Sequence, residues 1–244
     1  MQEKKVALIT GANKGIGFET ARQLGAQGVT ILVGARDEAR GTEAAKTLQA
    51  EGVDAQFLHL DMNSAATFTN AAKFIEAKFG KLDILINNAG VLMDYGVPVS
   101  AAPIANWRAT FETNVFAVVE LTQTLLPLVK KSDAGRIVNL TSILASLTLN
   151  DDPNSPIAAS VPTHTSYNAS KAALNMFTVH LAAELKDTKI KINAAHPGWV
   201  KTDMGGEAAP LEIEDGAKTS VALATLGEDG PTGAYIHMGV VLPW

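Results

Sequence analysis

The sequence predicts an α/β fold: a doubly wound parallel sheet of about seven strands with helices on both faces. Three observations carry this. Short apolar runs alternate along the whole chain with stretches of helical periodicity. The first of these runs, Val6-Ala7-Leu8-Ile9, is apolar throughout, as expected for a strand covered on both faces. The first run opens into a glycine-rich turn followed by a helix, the usual start of a dinucleotide-binding unit.

Composition narrows the function classes. The chain has 244 residues, of which 47% are hydrophobic, enough to bury a sizeable core. No linker, second core or internal repeat beyond the βα rhythm interrupts it, so residues 1–244 read as one domain. With 20 basic and 25 acidic residues the net charge is -5, which offers no nucleic-acid or anionic-membrane surface. Cysteine is absent, which excludes disulfides, thiolate metal sites and a cysteine nucleophile. The histidines His59, His164, His180, His196 and His237 show no metal-ligand spacing, and no metal is expected. Met1-Gln2-Glu3-Lys4-Lys5 leads straight into a strand without a signal-peptide core, and no apolar run approaches the ~18 residues of a membrane span. The expectation is a soluble, cytoplasmic protein.

Taken in order, Val6-Ala7-Leu8-Ile9 is the first strand. Thr10-Gly11-Ala12-Asn13-Lys14-Gly15-Ile16-Gly17 is the turn, and Ile16, Thr20 and Leu24 mark one face of the helix that follows. Glycines let the backbone approach a pyrophosphate, and the helix N-terminus offers free N–H groups; a purely structural turn would also need glycines. The second strand, Val29 to Val33, ends at Gly34-Ala35-Arg36-Asp37. Here Arg36 stands first where an acidic residue would receive the ribose hydroxyls of NAD. Arg36 and Lys14 together give two positive charges for a 2′-phosphate, which argues for NADP(H). The alternative is a solvated Arg36 and an Asp37 that caps the next helix.

The rhythm then repeats. A helix over Glu38–Ala50 precedes a strand from Ala55 to Leu60, which ends at Asp61-Met62. Asp61 could accept an adenine amino group or cap the next helix. Ser64 can cap a helix running to Phe79. Leu82 to Ile86 forms the fourth strand and delivers Asn87-Asn88-Ala89-Gly90 to a strand end, where ligands of open α/β sheets bind. Residues 91–103 are loop-like. Two helices are expected near Ile104–Glu112 and Asn114–Lys131, the second apolar over enough of its girth to suggest burial against the sheet and a further partner such as a second subunit. Gly135 to Leu140 is the fifth strand, ending in Thr141-Ser142. Residues 146–164, with Pro153, Pro156 and Pro162, read as a loop near the site, a possible flap. The helix of Tyr167 runs to about Lys186. Lys189 to Ala194 is the sixth strand, followed by His196-Pro197-Gly198-Trp199-Val200-Lys201-Thr202. A helix near Asp215–Leu226 and a last strand at Ala234–His237 complete a Rossmann-type pattern.

Tyr167-Asn168-Ala169-Ser170-Lys171 carries the clearest chemistry. Leu174, Phe177, Leu181 and Leu185 recur at helical spacing, so Tyr167 and Lys171, four residues apart, share a face. An ammonium fixed beside a phenol favours the phenolate and lowers its pKa, giving a proton donor or acceptor near neutrality. A tyrosine and a lysine on a helix edge, without function, is the bland alternative.

The motifs occur in one order: Thr-Gly-x-x-x-Gly-Ile-Gly at 10–17, Asn-Asn-Ala-Gly at 87–90, Asn114, Ser142, Tyr-x-x-x-Lys at 167–171 and Pro-Gly at 197–198. Over essentially the whole chain this resembles the short, single-domain branch of the short-chain dehydrogenase/reductase family. Ala-Arg-Asp at 35–37 and Pro-Gly-Trp-Val-Lys-Thr-Asp-Met at 197–204 look most like its NADPH-dependent carbonyl reductases. The resemblance implies hydride transfer to the carbonyl of a ketone or aldehyde, reversible as secondary-alcohol oxidation. It implies that Tyr167 supplies the proton, Ser142 bonds the same oxygen, Lys171 binds the nicotinamide ribose and lowers the tyrosine pKa, and Asn114 fixes a water that resupplies protons. It assigns coenzyme contacts to Gly11, Asn13, Lys14, Gly15, Ile16, Gly17, Arg36, Asp61, Met62, Asn88, Ala89, Gly90, Pro197, Gly198, Val200 and Thr202. Met93, Ile143, Leu144, Trp199 and Met204 would line an apolar substrate pocket. A homo-oligomer, tetramer or dimer, is implied; the long segment between Ser142 and Tyr167 accompanies a monomer in some carbonyl reductases, so both states stay open. Two rivals remain: an NAD-dependent hydroxy-compound dehydrogenase with Asp37 on the ribose, and a non-catalytic NADP-sensing protein on the same fold.

Overall fold

The computed structural model describes residues 4–160 and 163–244, so Met1-Gln2-Glu3 and Pro162 lie outside the described residues. Among the described residues eight strands form a single sheet in the order β3-β2-β1-β4-β5-β6-β7-β8. The strands are β1 (Val6–Thr10), β2 (Thr30–Ala35), β3 (Ala55–His59), β4 (Ile84–Asn87), β5 (Arg136–Leu140), β6 (Lys191–Ala195), β7 (Tyr235–His237) and β8 (Val240–Val241). All neighbours pair in parallel except β7 and β8. The expected seven strands are therefore eight. The short antiparallel β8 has too few residues to leave a periodic signal.

Helices cover both faces. Successive residues of β1 point to opposite sides: Val6 and Leu8 join one buried cluster, Ala7 and Ile9 the other. The first cluster takes side chains from α3 (Ala65–Phe79), α5 (Ala117–Val129) and α7 (Thr165–Glu184), among them Phe68, Leu121 and Leu174. The second takes them from α1 (Gly15–Ala26), α2 (Glu38–Ala50) and α8 (Ile213–Ala224), among them Leu24, Leu48 and Val221. The broad apolar girth of α5 is met by the sheet and by α3, both inside this chain. Phe116, 57% exposed just before α5, is the part left uncovered.

Three local expectations change. The two helices expected near Ile104–Glu112 and Asn114–Lys131 are one run, with α4 (Ile104–Phe111) joined to α5 by a π-turn at Glu112–Phe116. Ser64 stands at the start of α3 without a side-chain capping bond. The segment 146–160 is less loop-like than its prolines suggest: it holds α6 (Leu147–Asp151) and a 3₁₀ turn at Ala158–Ser160.

The strand order reverses beside β1, whose neighbours are β2 and β4. Ligands of open parallel sheets bind at such a switch point, beyond the carboxyl ends of the strands. The turns after β1, β4, β5 and β6 all lie at that end.

Candidate active site

The turn after β1 is built for close approach. Gly11 has φ +65°, a conformation other residues adopt at a cost. A Cβ on Gly17 would sit 2.4 Å from Asn88 Nδ2 and 2.7 Å from the Gly11 carbonyl oxygen. Lys14, at the start of α1, makes no side-chain cap, and among the described residues no side chain bonds the first-turn N–H groups of α1. Asn88 braces the turn: its Nδ2 donates to Thr10 O at 2.8 Å, and the Asn88 and Ala89 N–H groups donate to Thr10 Oγ1 at 3.0 and 2.9 Å. Beside the turn, Asn13, Lys14, Arg36, Asp37 and Arg40 line a cavity of about 330 Å³. A glycine cradle, a bare helix N-terminus and a basic side cavity fit a dinucleotide that carries phosphate.

Asp37 caps α2: its Oδ1 accepts from Arg40 N at 2.9 Å, and its Oδ2 lies 3.5 Å from Arg40 Nε. Asp61 Oδ1 accepts from Asn63 N at 3.0 Å, closing its own turn, and Met62 is buried in the core. After β6, Gly198 has φ +91°, Val200 is buried, and the Thr202 methyl lies near Gly15.

Tyr167 and Lys171 share a face of α7, with Lys171 Nζ 5.7 Å from the Tyr167 ring centroid. Both are buried. Lys171 Nζ donates to Leu140 O at the end of β5, at 2.7 Å. Gly90 packs against this group: a Cβ there would lie 3.3 Å from both Lys171 Nζ and Asn114 Oδ1. Asn114, fully buried in the π-turn, donates through Nδ2 to Val91 O at 2.9 Å and Ser170 Oγ at 3.0 Å, and accepts from Val91 N at 2.8 Å. It thereby pins the turn after β4 against α7. Ser142 begins the 3₁₀ turn Ile143–Ala145, and its Oγ accepts from Leu144 N at 3.3 Å.

The pKa expectation for Tyr167 is overturned. Burial raises the phenol to about 12, against a smaller downward pull from the Ser142 side chain. Burial also lowers Lys171 to about 8. Removing hydration disfavours phenolate and ammonium alike, and that outweighs the i,i+4 proximity legible in the sequence.

Several supporting residues gave no readable signal. The α7 N-terminus is not capped by its own neighbour, since His164 makes no side-chain cap; the buried Asp94, 72 positions away, accepts from Ser166 N at 2.7 Å instead. Tyr235, on β7, donates to the Ser142 carbonyl oxygen at 2.5 Å. His196 Nδ1 accepts from Ile143 N at 3.2 Å and Gly198 N at 3.4 Å, joining the turns after β5 and β6. Burial, then His237, pulls its pKa down to about 3, so it accepts as a neutral ring throughout the neutral range.

Met93, Ile143, Leu144, Trp199 and Met204 follow β4, β5 and β6, which are adjacent in the sheet. None is in the core; Met93, Trp199 and Met204 are 48%, 55% and 41% exposed. Among the described residues no group of three or more histidine or acidic side chains is placed to hold a metal, and no helix is long and apolar enough to cross a membrane.

Known proteins agree with this architecture. A family model for short chain dehydrogenase matches residues 5–212. Short-chain dehydrogenase/reductase 1 of Saponaria officinalis is 36% identical, covering 100% of this chain and 97% of the relative. Carbonyl reductase (NADPH) 1 of Rattus norvegicus is 32% identical, covering 99% of each. Among solved structures, the NADPH-bound carbonyl reductase from chicken fatty liver superposes with a TM-score of 0.86 at 27% identity, over 99% of this chain and 100% of that one. The chain belongs to the short-chain dehydrogenase/reductase family of oxidoreductases, with carbonyl reductases among its relatives.

Proposed function

We propose that this protein is an NADPH-dependent carbonyl reductase acting on ketones or aldehydes, reversible as a secondary-alcohol dehydrogenase, and that residues 1–244 form one catalytic domain. The observation that carries the reading is the meeting of Tyr167, Ser142, Lys171 and Asn114 at the carboxyl end of the sheet. The preference for NADP over NAD is supported by Lys14, Arg36 and Arg40 around one cavity, and by Asp37, whose carboxylate is committed to α2.

The nicotinamide, when bound, supplies a hydride to the carbonyl carbon. Tyr167 and Ser142 aim two hydroxyl donors at the oxygen that becomes negative, and donors already in place stabilise that charge without reorganising. A phenol held near 12 stays protonated through the neutral range, which suits donation in the reductive direction. Lys171 holds the ribose and, while charged, eases loss of the Tyr167 proton. Asn114, fixed against Val91 and Ser170, serves the resupply of protons to Lys171. Gly11, Gly15 and Gly17 hold the pyrophosphate, and the partly exposed Met93, Trp199 and Met204 favour apolar carbonyl compounds.

The test is NADPH oxidation, followed by absorbance across a panel of apolar ketones and aldehydes, for the wild type and Tyr167→Phe. The expected result is turnover by the wild type and a loss of at least about 10²-fold in kcat for the variant, with coenzyme binding retained. No turnover across the panel would favour a non-catalytic coenzyme sensor.

A further inference from the structure

The glycine-rich turn is tied to the loop after β6 by an ion pair. Lys14 Nζ bonds Asp203 Oδ2 at 2.5 Å, across 189 residues of sequence. Both side chains are exposed, and Lys14 holds the Asp203 carboxyl below its usual range. Thr202, the residue before Asp203, lies near Gly15.

The loop that carries Asp203 is itself well braced. Gly205 N donates to Thr202 Oγ1 at 3.1 Å, Gly206 N to Thr202 O at 2.8 Å, and Trp199 Nε1 to Gly205 O at 2.8 Å. Val200 forms a parallel bridge with Leu211. The neighbouring Lys201 is paired with Glu212, so its charge is already engaged.

Charge around the cavity is unevenly available. Of the three cations that line it, Arg40 is paired with Asp37 and Lys14 with Asp203. Arg36 is the one without an ion pair or side-chain hydrogen bond among the described residues. A phosphate entering here meets one free guanidinium and one ammonium that must be shared with a carboxylate.

We propose that Asp203 is a specificity-determining residue: it competes with the 2′-phosphate of NADP(H) for Lys14 and so holds down the preference for NADP(H) over NAD(H). This rests on the NADP(H) reading given above. A coenzyme without the 2′-phosphate leaves the pair undisturbed, so the effect is confined to the phosphorylated form. An exposed pair is screened by salt, so the effect shrinks as ionic strength rises.

The experiment is equilibrium titration calorimetry of the purified protein with NADP⁺ and with NAD⁺, for the wild type, Asp203→Asn, Lys14→Met and the double variant. Asp203→Asn is expected to tighten NADP⁺ binding by about two- to fivefold at low salt, the range an exposed pair supports, and to leave NAD⁺ unchanged. In the Lys14→Met background the same substitution should do nothing, because the contested cation is gone. Unchanged or weaker NADP⁺ binding by Asp203→Asn, or equal tightening of both coenzymes, overturns the proposal. Arg36→Ala, titrated alongside, keeps the two readings apart. If it leaves NADP⁺ affinity intact and the wild type binds both coenzymes equally, the coenzyme assignment fails whatever Asp203→Asn does. Melting temperature of each variant guards against a folding defect, which the exposure of Asp203 makes unexpected.

Discussion

Lys171→Met separates the electrostatic cost of the site from its chemistry. Burial lowers the Lys171 pKa from 10.5 to about 8. Below pH 8 the folded protein holds a buried ammonium that the unfolded chain would hydrate, a penalty of about 3 kcal/mol for the shift. Methionine removes that penalty but also the charged hydrogen bond to Leu140 O, worth about 1.5–3 kcal/mol. The two nearly cancel at pH 7, so the absolute stability change there is small. The pH dependence is more telling. Between pH 8 and 10.5 the unfolded lysine binds more proton than the folded one, so wild-type stability rises with pH relative to the variant. Integrated from pH 8 to 10, the gain is about 2 kcal/mol, or about 4–8 °C in Tm for a chain of this size. Tyr167, raised to about 12 in the folded state, loses stability only as pH climbs past its ordinary value of 10.0, above this window. The assay is thermal unfolding of both proteins without coenzyme, at intervals from pH 7 to 10. A Tm difference that stays flat across that range would refute the claim that burial governs Lys171.

Other outcomes follow from the same geometry. On the proposed NADPH reading, Arg36→Ala should weaken NADPH binding by about 10- to 100-fold, the loss expected for one charge-assisted phosphate contact, and leave NADH binding unchanged in the same fluorescence titration. Asp94→Ala should cost about 0.5–2 kcal/mol by uncapping α7, lower Tm by about 1–8 °C, and reduce kcat more than it alters KM, with Asp94→Asn restoring much of both. Gly17→Ala should cost about 1–3 kcal/mol, because the new methyl collides with Asn88 Nδ2 and the Gly11 carbonyl; calorimetry would show the lower Tm and weaker coenzyme binding together.

What the sequence made legible was local. The Gly11–Gly17 turn stood between a strand and a helix, and Tyr167 and Lys171 stood four apart on a helix, so neighbouring residues contained the signal. Long-range partners were hidden. Asp94 caps a helix 72 positions away and Tyr235 holds a carbonyl 93 positions away, and neither stands in a motif. Asn114 was picked out by resemblance, but the π-turn that turns its side chain to Val91 and Ser170 leaves no periodicity, so one helical run read as two helices. The Tyr167 pKa was misjudged for a related reason. Spacing shows which charges are near, whereas desolvation depends on everything packed around them.

That misjudgement bears on how the site works. Burial favours the neutral form of both Tyr167 and Lys171, so burial alone disfavours the charge separation that the proposed chemistry requires. A neutral lysine cannot ease a proton off a phenol. What keeps Lys171 charged is oxygen acceptors around Nζ, and the chain supplies Leu140 O at 2.7 Å. Gly90 leaves the space beside Nζ clear, since a side chain there would press within 3.3 Å of it. Any hydroxyl that enters this space adds an acceptor and favours the ammonium, and the charged Lys171 in turn draws the Tyr167 pKa back from 12. On the proposed function that hydroxyl is the coenzyme's ribose. The pair then becomes reactive only when the site is loaded, and the pH profile of turnover should break at lower pH than a titration of Tyr167 in the free protein.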